Sequence, residues 1–185
     1  TPLYSSAASD VYKRQAYLKA NYPVEYMTAL LTTNSGQQEK VAMAVAGCQR
    51  LGIRVLPPDI NKSEASFRIE GDGSKTRLGE EPAIRFGLAD IKNVGVGAIT
   101  PILIARKKGE PFKSIEDLCR RADLRGMNKR VMESLIKAGA MDSLGNRGAL
   151  LHRVDHILWL SQREQRLRET GQASMFDLWG KSVAM

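Results

Sequence analysis

Cysteine and histidine are scarce in this chain, which has two residues of each among 185. Cys48 and Cys119 form no Cys-x-x-Cys pair, so the sequence excludes a disulfide framework and a cysteine zinc cluster and predicts two buried apolar thiols. His152 and His156 have the spacing of a zinc-ligand pair on a helix, but no third ligand accompanies them. We therefore expect a pair of surface histidines and no metal site.

Long apolar runs are also missing. No stretch approaches the ~20 residues that span a bilayer, and no signal peptide is visible at the start of the sequence. The chain is nevertheless 43% hydrophobic and 26% charged, a balance that supports one or two modest cores. We therefore expect a globular, cytoplasmic protein that has no membrane partner.

Positive charge is concentrated in one part of the chain. The formal net charge is +8, and Arg85 to Arg168 contains 17 Lys and Arg against 9 Asp and Glu, whereas the rest contains 11 of each. Because Lys and Arg near phosphates release condensed counterions, a basic region beside a neutral one suggests a polyanionic partner. Solvated helix faces also collect charge, so charge alone does not identify the partner.

A glycine hairpin opens this basic region. Leu88 and Ile91 fall on one face of a short first helix, and a second helix is predicted from Ala98 onward. The glycines between the helices, Gly95 and Gly97, permit positive φ and let a phosphate approach the main chain. The unpaired N–H groups and positive dipole end of the second helix would face that phosphate without reading base sequence. The pattern predicts a helix-hairpin-helix, a motif that grips the DNA backbone.

Pro101 constrains where the second helix begins. A proline fits there only in the first turn, where N–H groups lack intrahelical partners, and it removes one possible phosphate donor. A lone Gly-x-Gly is a weak signal, and the alternative is an ordinary tight turn between two core helices. The flanking apolar pattern and the positive charge favour the hairpin.

The first part of the chain predicts helices followed by a small β-hairpin. Residues 1–15 have no clear period and look like a translated sequencing adapter, so we interpret them as a non-native leader. Residues 16–62 carry amphipathic helices, the last of which runs from Gln38 to Leu51, and then an extended segment. Residues 63–87 contain two alternating strands separated by a polar, glycine-rich loop, which indicates a β-hairpin connector.

Residues 88–168 continue as helices. Ser114 is predicted to cap the helix that follows it. Residues 135–151 show a helix, a glycine-containing turn and another helix, which is either a degenerate second hairpin or an ordinary helical turn. A long, polar, Arg-rich helix is predicted from Leu150 to Arg168.

Five blocks of this sequence, in the same order, resemble the alpha subunit of the bacterial replicative DNA polymerase III, a C-family polymerase. The resemblance runs from Ala16 to about Trp179. It implies the helical end of a fingers domain over residues 16–62, and a tandem helix-hairpin-helix domain that holds duplex DNA over residues 88–168. The fold class is therefore expected to be mainly α. The blocks are Ala16–Met27, Gly52–Asn61, Ile84–Leu88, Ile91–Gly95 and Leu135–Ala140.

The resemblance also implies two sets of contact residues. It places the hairpin on the backbone of duplex DNA, and it makes residues 169–185 a truncated tail that binds the sliding clamp, the beta subunit. Gln172-Ala-Ser-Met-Phe176 looks like the family's clamp-binding pentapeptide, and the alternative is a satellite core contact. Other holoenzyme subunits are further implied partners. The predicted DNA contacts are Lys92, Asn93, Val94, Gly95, Val96, Gly97 and Arg106, and the predicted clamp contacts are Gln172, Ser174, Met175 and Phe176.

No catalytic residue is predicted in this chain. Polymerisation needs carboxylates that hold two metal ions, and the sequence has no such cluster. Pro58-Asp-Ile-Asn61 is superficially similar to the family's catalytic Asp-x-Asp stretch, but it ends in an asparagine, and Asp59 is better explained as a turn or capping residue. The resemblance implies that the catalytic carboxylates and their Mg2+ belong to an upstream part of a parent DNA-directed DNA polymerase. We expect this chain to be inactive alone and to hold no cofactor.

Two other functions remain open from the sequence. One is a stand-alone module that binds duplex DNA without sequence preference. The other is a DNA glycosylase, because glycosylases also use a glycine hairpin and place a catalytic aspartate roughly twenty residues beyond it. Asp117 falls at that separation, although a position at a helix start gives it a simpler role.

Overall fold

The computed structural model describes residues 3–71 and 83–169, with side chains from residue 10 to residue 168. These residues form eight α-helices and one three-stranded sheet, which confirms the prediction of a mainly helical fold. The elements are α1 (Leu3–Asn21), α2 (Pro23–Thr33), α3 (Gln38–Arg50), β1 (Arg54–Leu56), β2 (Arg68–Glu70), β3 (Ala83–Arg85), α4 (Val96–Lys108), α5 (Ile115–Arg121), α6 (Lys129–Lys137), α7 (Arg147–His152) and α8 (Val154–Glu169).

Helix α1 extends across the boundary predicted at residue 15. Residues 3–15 are helical although their sequence has no clear period, and their interpretation as a non-native leader stays a prediction. The side chains from Asp10 to Tyr22 are exposed, and this helix therefore adds no buried side chain over that range. Pro23 then begins α2 in the first turn, where a proline costs no intrahelical hydrogen bond.

The sheet contains the predicted hairpin and one further strand. Strands β2 and β3 pair antiparallel with Ile69 opposite Ile84, as the alternating pattern indicates. Strand β1 pairs parallel with the other edge of β3, with Val55 opposite Ile84, so the strand order is β1-β3-β2. The predicted division of the chain at residue 62 falls between β1 and its partner strand.

Two groups of buried side chains meet at Phe86, which packs against both. The smaller group joins α2 and α3 to the sheet. The larger group joins the five helices α4, α5, α6, α7 and α8 to one another. Both thiols are buried as predicted. Burial raises the pKa of the Cys48 thiol, and it raises the pKa of the Cys119 thiol to about 12. Both groups are therefore protonated apolar side chains at neutral pH.

Local sequence determines most helix boundaries after residue 110. Ser114 accepts a hydrogen bond from the N–H of Asp117 at 3.2 Å, which confirms the predicted cap of α5. Asn128 caps α6 in the same way, by accepting from Val131 N–H at 2.9 Å. The predicted continuous helix from Leu150 is wrong, because the chain turns at Arg153 between α7 and α8.

Within 3–71 and 83–169, no helix is both long and apolar enough to cross a membrane. No group of three or more His, Cys, Asp and Glu side chains in the same residues is arranged to hold a metal ion. His152 and His156 are both exposed.

Candidate nucleic-acid interface

The hairpin segment, residues 88–97, connects β3 to α4. Its first half is a series of turns, in which Val94 N–H donates to the Ile91 carbonyl at 3.0 Å, and the predicted first helix is therefore wrong. The N–H of Leu88 instead donates to the Glu64 carbonyl at 2.9 Å, and Ala89 bonds to the next carbonyl at the same distance. A helix of so few residues gains too few hydrogen bonds to form once tertiary partners are available.

The reversal of the chain depends on an asparagine rather than on the glycines. Asn93 has a φ of 67°, in the left-handed region that asparagine tolerates better than most residues. Gly95 has a φ of −94° and a ψ of 156°, and Gly97 lies inside α4, so the positive φ expected at these glycines is not observed. The Asn93 amide also donates to Ser134 Oγ in α6 at 3.3 Å, which anchors the reversal to a neighbouring helix.

The N-terminus of α4 is open. Gly95 is the N-cap residue and supplies no side-chain hydrogen bond. The N–H groups of Val96 and Gly97 have no hydrogen-bond partner among the described residues. A Cβ placed on Gly95 or Gly97 would meet nothing within 4 Å. The glycines therefore leave clear space in front of unpaired donors at the positive end of a helix dipole.

Helix α4 begins two residues earlier than the sequence suggests, at Val96 instead of Ala98. Pro101 consequently lies inside the helix, beyond the first turn, and the expectation for its position is wrong. Because proline has no N–H, the Gly97 carbonyl lacks the helical hydrogen bond that it would otherwise accept from residue 101. No N–H at the start of the helix is lost, so Pro101 removes none of the donors that face outward there.

Most of the predicted DNA contacts form one exposed segment. Lys92 and Asn93 are exposed, as are the two glycines, and Val96 is 60% exposed. Val94 is the exception, because its side chain is 6% exposed and packs in the larger core. Only the main chain of Val94 faces the surface that its neighbours form.

Arg106 lies away from this segment. Its guanidinium donates to the carbonyl oxygens of Ile60 at 3.1 Å and Ser63 at 2.7 Å, and it forms an ion pair with Glu64 at 3.1 Å. The Arg106 side chain is 11% exposed. These contacts attach α4 to the segment that precedes β2, and the DNA contact predicted for Arg106 has no support in this arrangement.

The anchor at Ser134 brings basic residues of α6 beside the hairpin segment. Arg130 and Lys137 are exposed and lie one turn before and one turn after Ser134 on the same helix face. Lys137 also forms an ion pair with Glu133 at 3.0 Å. The sequence reasoning did not select these two cations, because only the contact between Asn93 and Ser134 shows that α6 lies next to the hairpin.

Asp90 connects the base of the hairpin segment to the turn between α2 and α3. Its Oδ1 accepts a hydrogen bond from the Ser35 hydroxyl, while its buried Oδ2 has no partner in the described part of the chain. Burial raises the pKa of the Asp90 carboxyl, and the hydrogen bonds from the Ser35 side chain and the Phe67 main chain offset only part of that effect. Gly87 leaves room for this carboxylate, because a Cβ there would collide with Asp90 Oδ2 and with the Ala65 carbonyl.

A groove of about 1300 Å³ runs beside the hairpin segment. Residues 89–95 line one wall, and α3 lines the other with Lys40, Val41 and Val45 among its side chains. Lys40 and Lys92 are both exposed and lie on opposite walls. The groove therefore extends the exposed surface of the hairpin toward the N-terminal helices.

A helix-turn-helix, formed by α6 and α7, confirms the helix, glycine-containing turn and helix predicted for residues 135–151. Gly139 has a φ of 85° in the turn. At the start of α7 the Asn146 side chain accepts from the N–H groups of Gly148 at 3.0 Å and Ala149 at 3.2 Å. Two donors at this helix start are thus already bonded within the protein.

The residues considered for catalysis have structural contacts. Asp59 Oδ1 accepts from Asn61 N–H at 2.7 Å, which confirms Asp59 as a turn residue. The Asn61 side chain bonds to both the N–H and the carbonyl of Phe112, at 2.7 and 2.9 Å. Asp117 Oδ2 accepts from Lys113 N–H at 3.2 Å and pairs with Arg121 at 3.1 Å. These contacts show that Asp117 stabilises α5 and the turn before it.

The predicted clamp contacts lie outside the described residues. They are Gln172, Ser174, Met175 and Phe176.

Comparisons with known proteins agree with this geometry. The sequence matches the family model described as "Helix-hairpin-helix motif" over residues 52–150. It is 40% identical to the DNA polymerase III subunit alpha of Vibrio cholerae and 41% identical to that of Thermus aquaticus, each over 94% of this chain. The same protein of Escherichia coli is 38% identical over 94% of this chain.

These relatives are much longer than this chain, which spans 14% of the Vibrio cholerae protein and 13% of the Thermus aquaticus protein. The resemblance that five sequence blocks indicate is confirmed by identity along almost the whole chain. The chain belongs to the helix-hairpin-helix motif family, and it is homologous to one segment of DNA polymerase III subunit alpha.

Proposed function

We propose that this chain holds the backbone of duplex DNA with residues 92–97, as one DNA contact of a replicative DNA polymerase. The observation that carries the proposal is the open N-terminus of α4, where two unpaired N–H groups face clear space in front of Gly95 and Gly97. This opening lies within the residues that match the helix-hairpin-helix family. The similarity to DNA polymerase III subunit alpha supports replication as the setting.

The mechanism follows from the chemistry of a helix start. A phosphate oxygen accepts hydrogen bonds from Val96 and Gly97 N–H, and the helix dipole adds a favourable charge interaction. Lys92 stands at the same edge, with Arg130 and Lys137 on the neighbouring helix. Main-chain donors and flexible cations do not distinguish bases, so the grip is independent of sequence. This property suits a protein that moves along DNA.

A second part of the proposal concerns the tail. Gln172, Ser174, Met175 and Phe176 enter a pocket on the sliding clamp, with the apolar pair as the anchor. Tethering to a ring around DNA raises the local concentration of the polymerase there, and the hairpin then needs only modest affinity. Other holoenzyme subunits are proposed partners of the longer protein.

Nucleotidyl transfer belongs to the longer polymerase in this proposal. The reaction requires carboxylates that hold two Mg2+ ions, and those residues lie outside this chain. Asp59 and Asp117 have the structural contacts given above, so this chain is proposed to bind DNA without catalysing a reaction. The cytoplasmic location stays a prediction.

Substitution of the open glycines tests DNA binding. In anisotropy measurements with a labelled duplex, Gly95→Ala/Gly97→Ala should bind roughly tenfold or more weakly, because the methyl groups keep the phosphate from two charge-assisted hydrogen bonds. Thermal unfolding should change little, since both Cβ positions are open and the helix propensity that alanine adds at Gly97 offsets its weaker N-cap preference at Gly95. Gly126→Ala is the matched control, because its Cβ is also unobstructed. Equal affinity of the double variant and this control would contradict the proposal.

Clamp binding separates a polymerase segment from a stand-alone duplex-binding module. Met175→Ala/Phe176→Ala should abolish binding to a purified bacterial sliding clamp and leave duplex affinity unchanged. A chain that binds duplex DNA through the glycines but never binds the clamp would favour the stand-alone module. If the chain were a DNA glycosylase, it would excise bases from duplex DNA, and Asp117→Asn would abolish that excision.

A further inference from the structure

Helix α8 carries an exposed row of aromatic and basic side chains that the hairpin proposal does not use. His156, Trp159 and Arg163 follow one another at spacings of three and four residues, so they lie on one face of the helix. All three are exposed, and Trp159 is 52% exposed. We call these three residues the stacking row.

The side chains of the stacking row are ordered against each other. The rings of His156 and Trp159 are stacked, with centroids 5.6 Å apart and planes 21° apart. The guanidinium carbon of Arg163 lies 5.5 Å from the centroid of the Trp159 ring. Three flat groups therefore follow the helix axis in sequence, and cation–π attraction favours the position of Arg163.

The fold does not need the stacking row. The opposite face of α8 is buried, with Val154 at 2%, Ile157 at 3% and Gln165 at 6% exposure. Gln165 Nε2 donates to the Ala122 carbonyl at 3.0 Å and fixes the helix against the end of α5. An exposed tryptophan whose removal leaves this packing intact is available for a ligand.

The charge around the stacking row favours an anionic ligand. Asp155 is the carboxylate next to His156 in sequence, and it is paired with Lys129 at 2.8 Å. Glu116 is close enough to His156 and Arg153 to interact electrostatically, but its carboxylate mainly accepts a hydrogen bond from Ser114. The row itself contains no acidic residue, and it lies in the region that carries the whole net positive charge.

We propose that the stacking row binds the bases of single-stranded nucleic acid. The faces of duplex bases are covered by their neighbours, whereas an unpaired strand can place them on an aromatic ring or a guanidinium plane. This ligand differs from that of the hairpin, and the inference does not depend on the function proposed above.

Tryptophan fluorescence measures this binding directly. Trp159 becomes the only tryptophan when Trp179 is replaced by phenylalanine. Titration with a twenty-nucleotide oligothymidylate, which forms no duplex, should quench the Trp159 emission. In anisotropy measurements with the same labelled oligonucleotide, Trp159→Ala should weaken binding roughly tenfold. Trp159→Phe keeps a stacking ring and should retain most of the affinity, and Tyr17→Ala, which removes an exposed aromatic side chain of α1, should retain all of it.

The hairpin variants distinguish this proposal from duplex binding. Gly95→Ala/Gly97→Ala should bind the oligothymidylate normally, and Trp159→Ala should bind a blunt hairpin duplex normally. Unchanged Trp159 emission at saturating oligothymidylate would overturn the proposal and leave the stacking row as a docking face for a protein. The proposal is equally overturned if Trp159→Ala and Tyr17→Ala bind the oligonucleotide with the same affinity.

Discussion

Helices α4 and α7 both follow a turn that contains glycine, but they begin in opposite ways. Gly95 precedes α4 and leaves the N–H groups of Val96 and Gly97 without a partner in the described residues. Asn146 precedes α7 and accepts from the N–H groups of two residues in its first turn. One helix start is therefore open toward solvent, and the other is closed by its own side chain.

The difference shows that a helix start either stabilises the fold or remains available for a ligand. A side-chain cap contributes about 1 kcal/mol to stability, and it occupies the donors that a phosphate would use. Helix α4 lacks that contribution and is fixed instead by the Asn93 contact with Ser134 and the Asp90 contact with Ser35. Two helix starts that each follow a turn are thus stabilised in different ways.

Gly139→Ala should give the largest change in stability and none in DNA binding. Gly139 has a φ of 85°, and the left-handed conformation costs a residue with a Cβ roughly 1–2 kcal/mol. An ideal Cβ built on Gly139 would also lie only 2.5 Å from a guanidinium nitrogen of Arg147. Chemical denaturation should therefore show a lower free energy of unfolding, while duplex affinity measured under native conditions stays at the wild-type value. A loss of duplex affinity in the folded variant would mean that both turns contact DNA.

Gly95→Asn would convert the open helix start into a closed one. The backbone at Gly95 is already extended, and the space for a side chain is free, so asparagine can cap α4 as Asn146 caps α7. Duplex affinity should fall roughly tenfold, because the cap competes for the phosphate donors, and stability should rise by a few tenths of a kcal/mol.

Asn146→Ala is the reciprocal change. It removes the cap of α7 and should lower the free energy of unfolding by about 1 kcal/mol without affecting duplex affinity. Anisotropy and denaturation of both variants complete the comparison. If Gly95→Asn gains stability and keeps its affinity, the phosphate does not bind at the start of α4.

The sequence predicts much of the fold because many of its signals are local. The caps at Ser114 and Asn128, the β2–β3 hairpin and the glycine hairpin depend on neighbouring residues. The parallel pairing of β1 with β3 and the burial of Arg106 depend on residues distant in sequence. Periodicity carries no information about such contacts.

The site illustrates the same limit. The exposed glycines could be identified from their spacing, and the helix start was misplaced by only two residues. The missing first helix could not be predicted, because the segment is held by tertiary contacts: the N–H groups of Leu88 and Ala89 bond to Glu64 and Ala65, more than twenty residues earlier in the chain. Arg130 and Lys137 become candidates only after Asn93 is seen to contact Ser134.

The smallest expected effects come from one carboxylate in each turn, Asp90 before α4 and Asp142 before α7. Burial raises the pKa of Asp90, whereas the hydrogen bond from Arg147 is the main cause that lowers the pKa of Asp142. Ionised Asp90 therefore opposes folding as pH rises through its folded pKa, and ionised Asp142 supports folding until pH falls through its own.

At pH 7, Asp90→Asn should raise the free energy of unfolding and Asp142→Asn should lower it, the latter by less than about 1 kcal/mol because the pair with Arg147 is exposed. The Asp90→Asn difference should shrink when denaturation is repeated below the ordinary aspartate pKa of 3.8, and the Asp142→Asn difference should shrink only as pH falls further, through the lowered pKa of the folded carboxyl. If both substitutions change the free energy of unfolding in the same direction at pH 7, the two turns have the same effect on an ionised carboxylate. In that case only the hydrogen bonding at the helix starts would distinguish them.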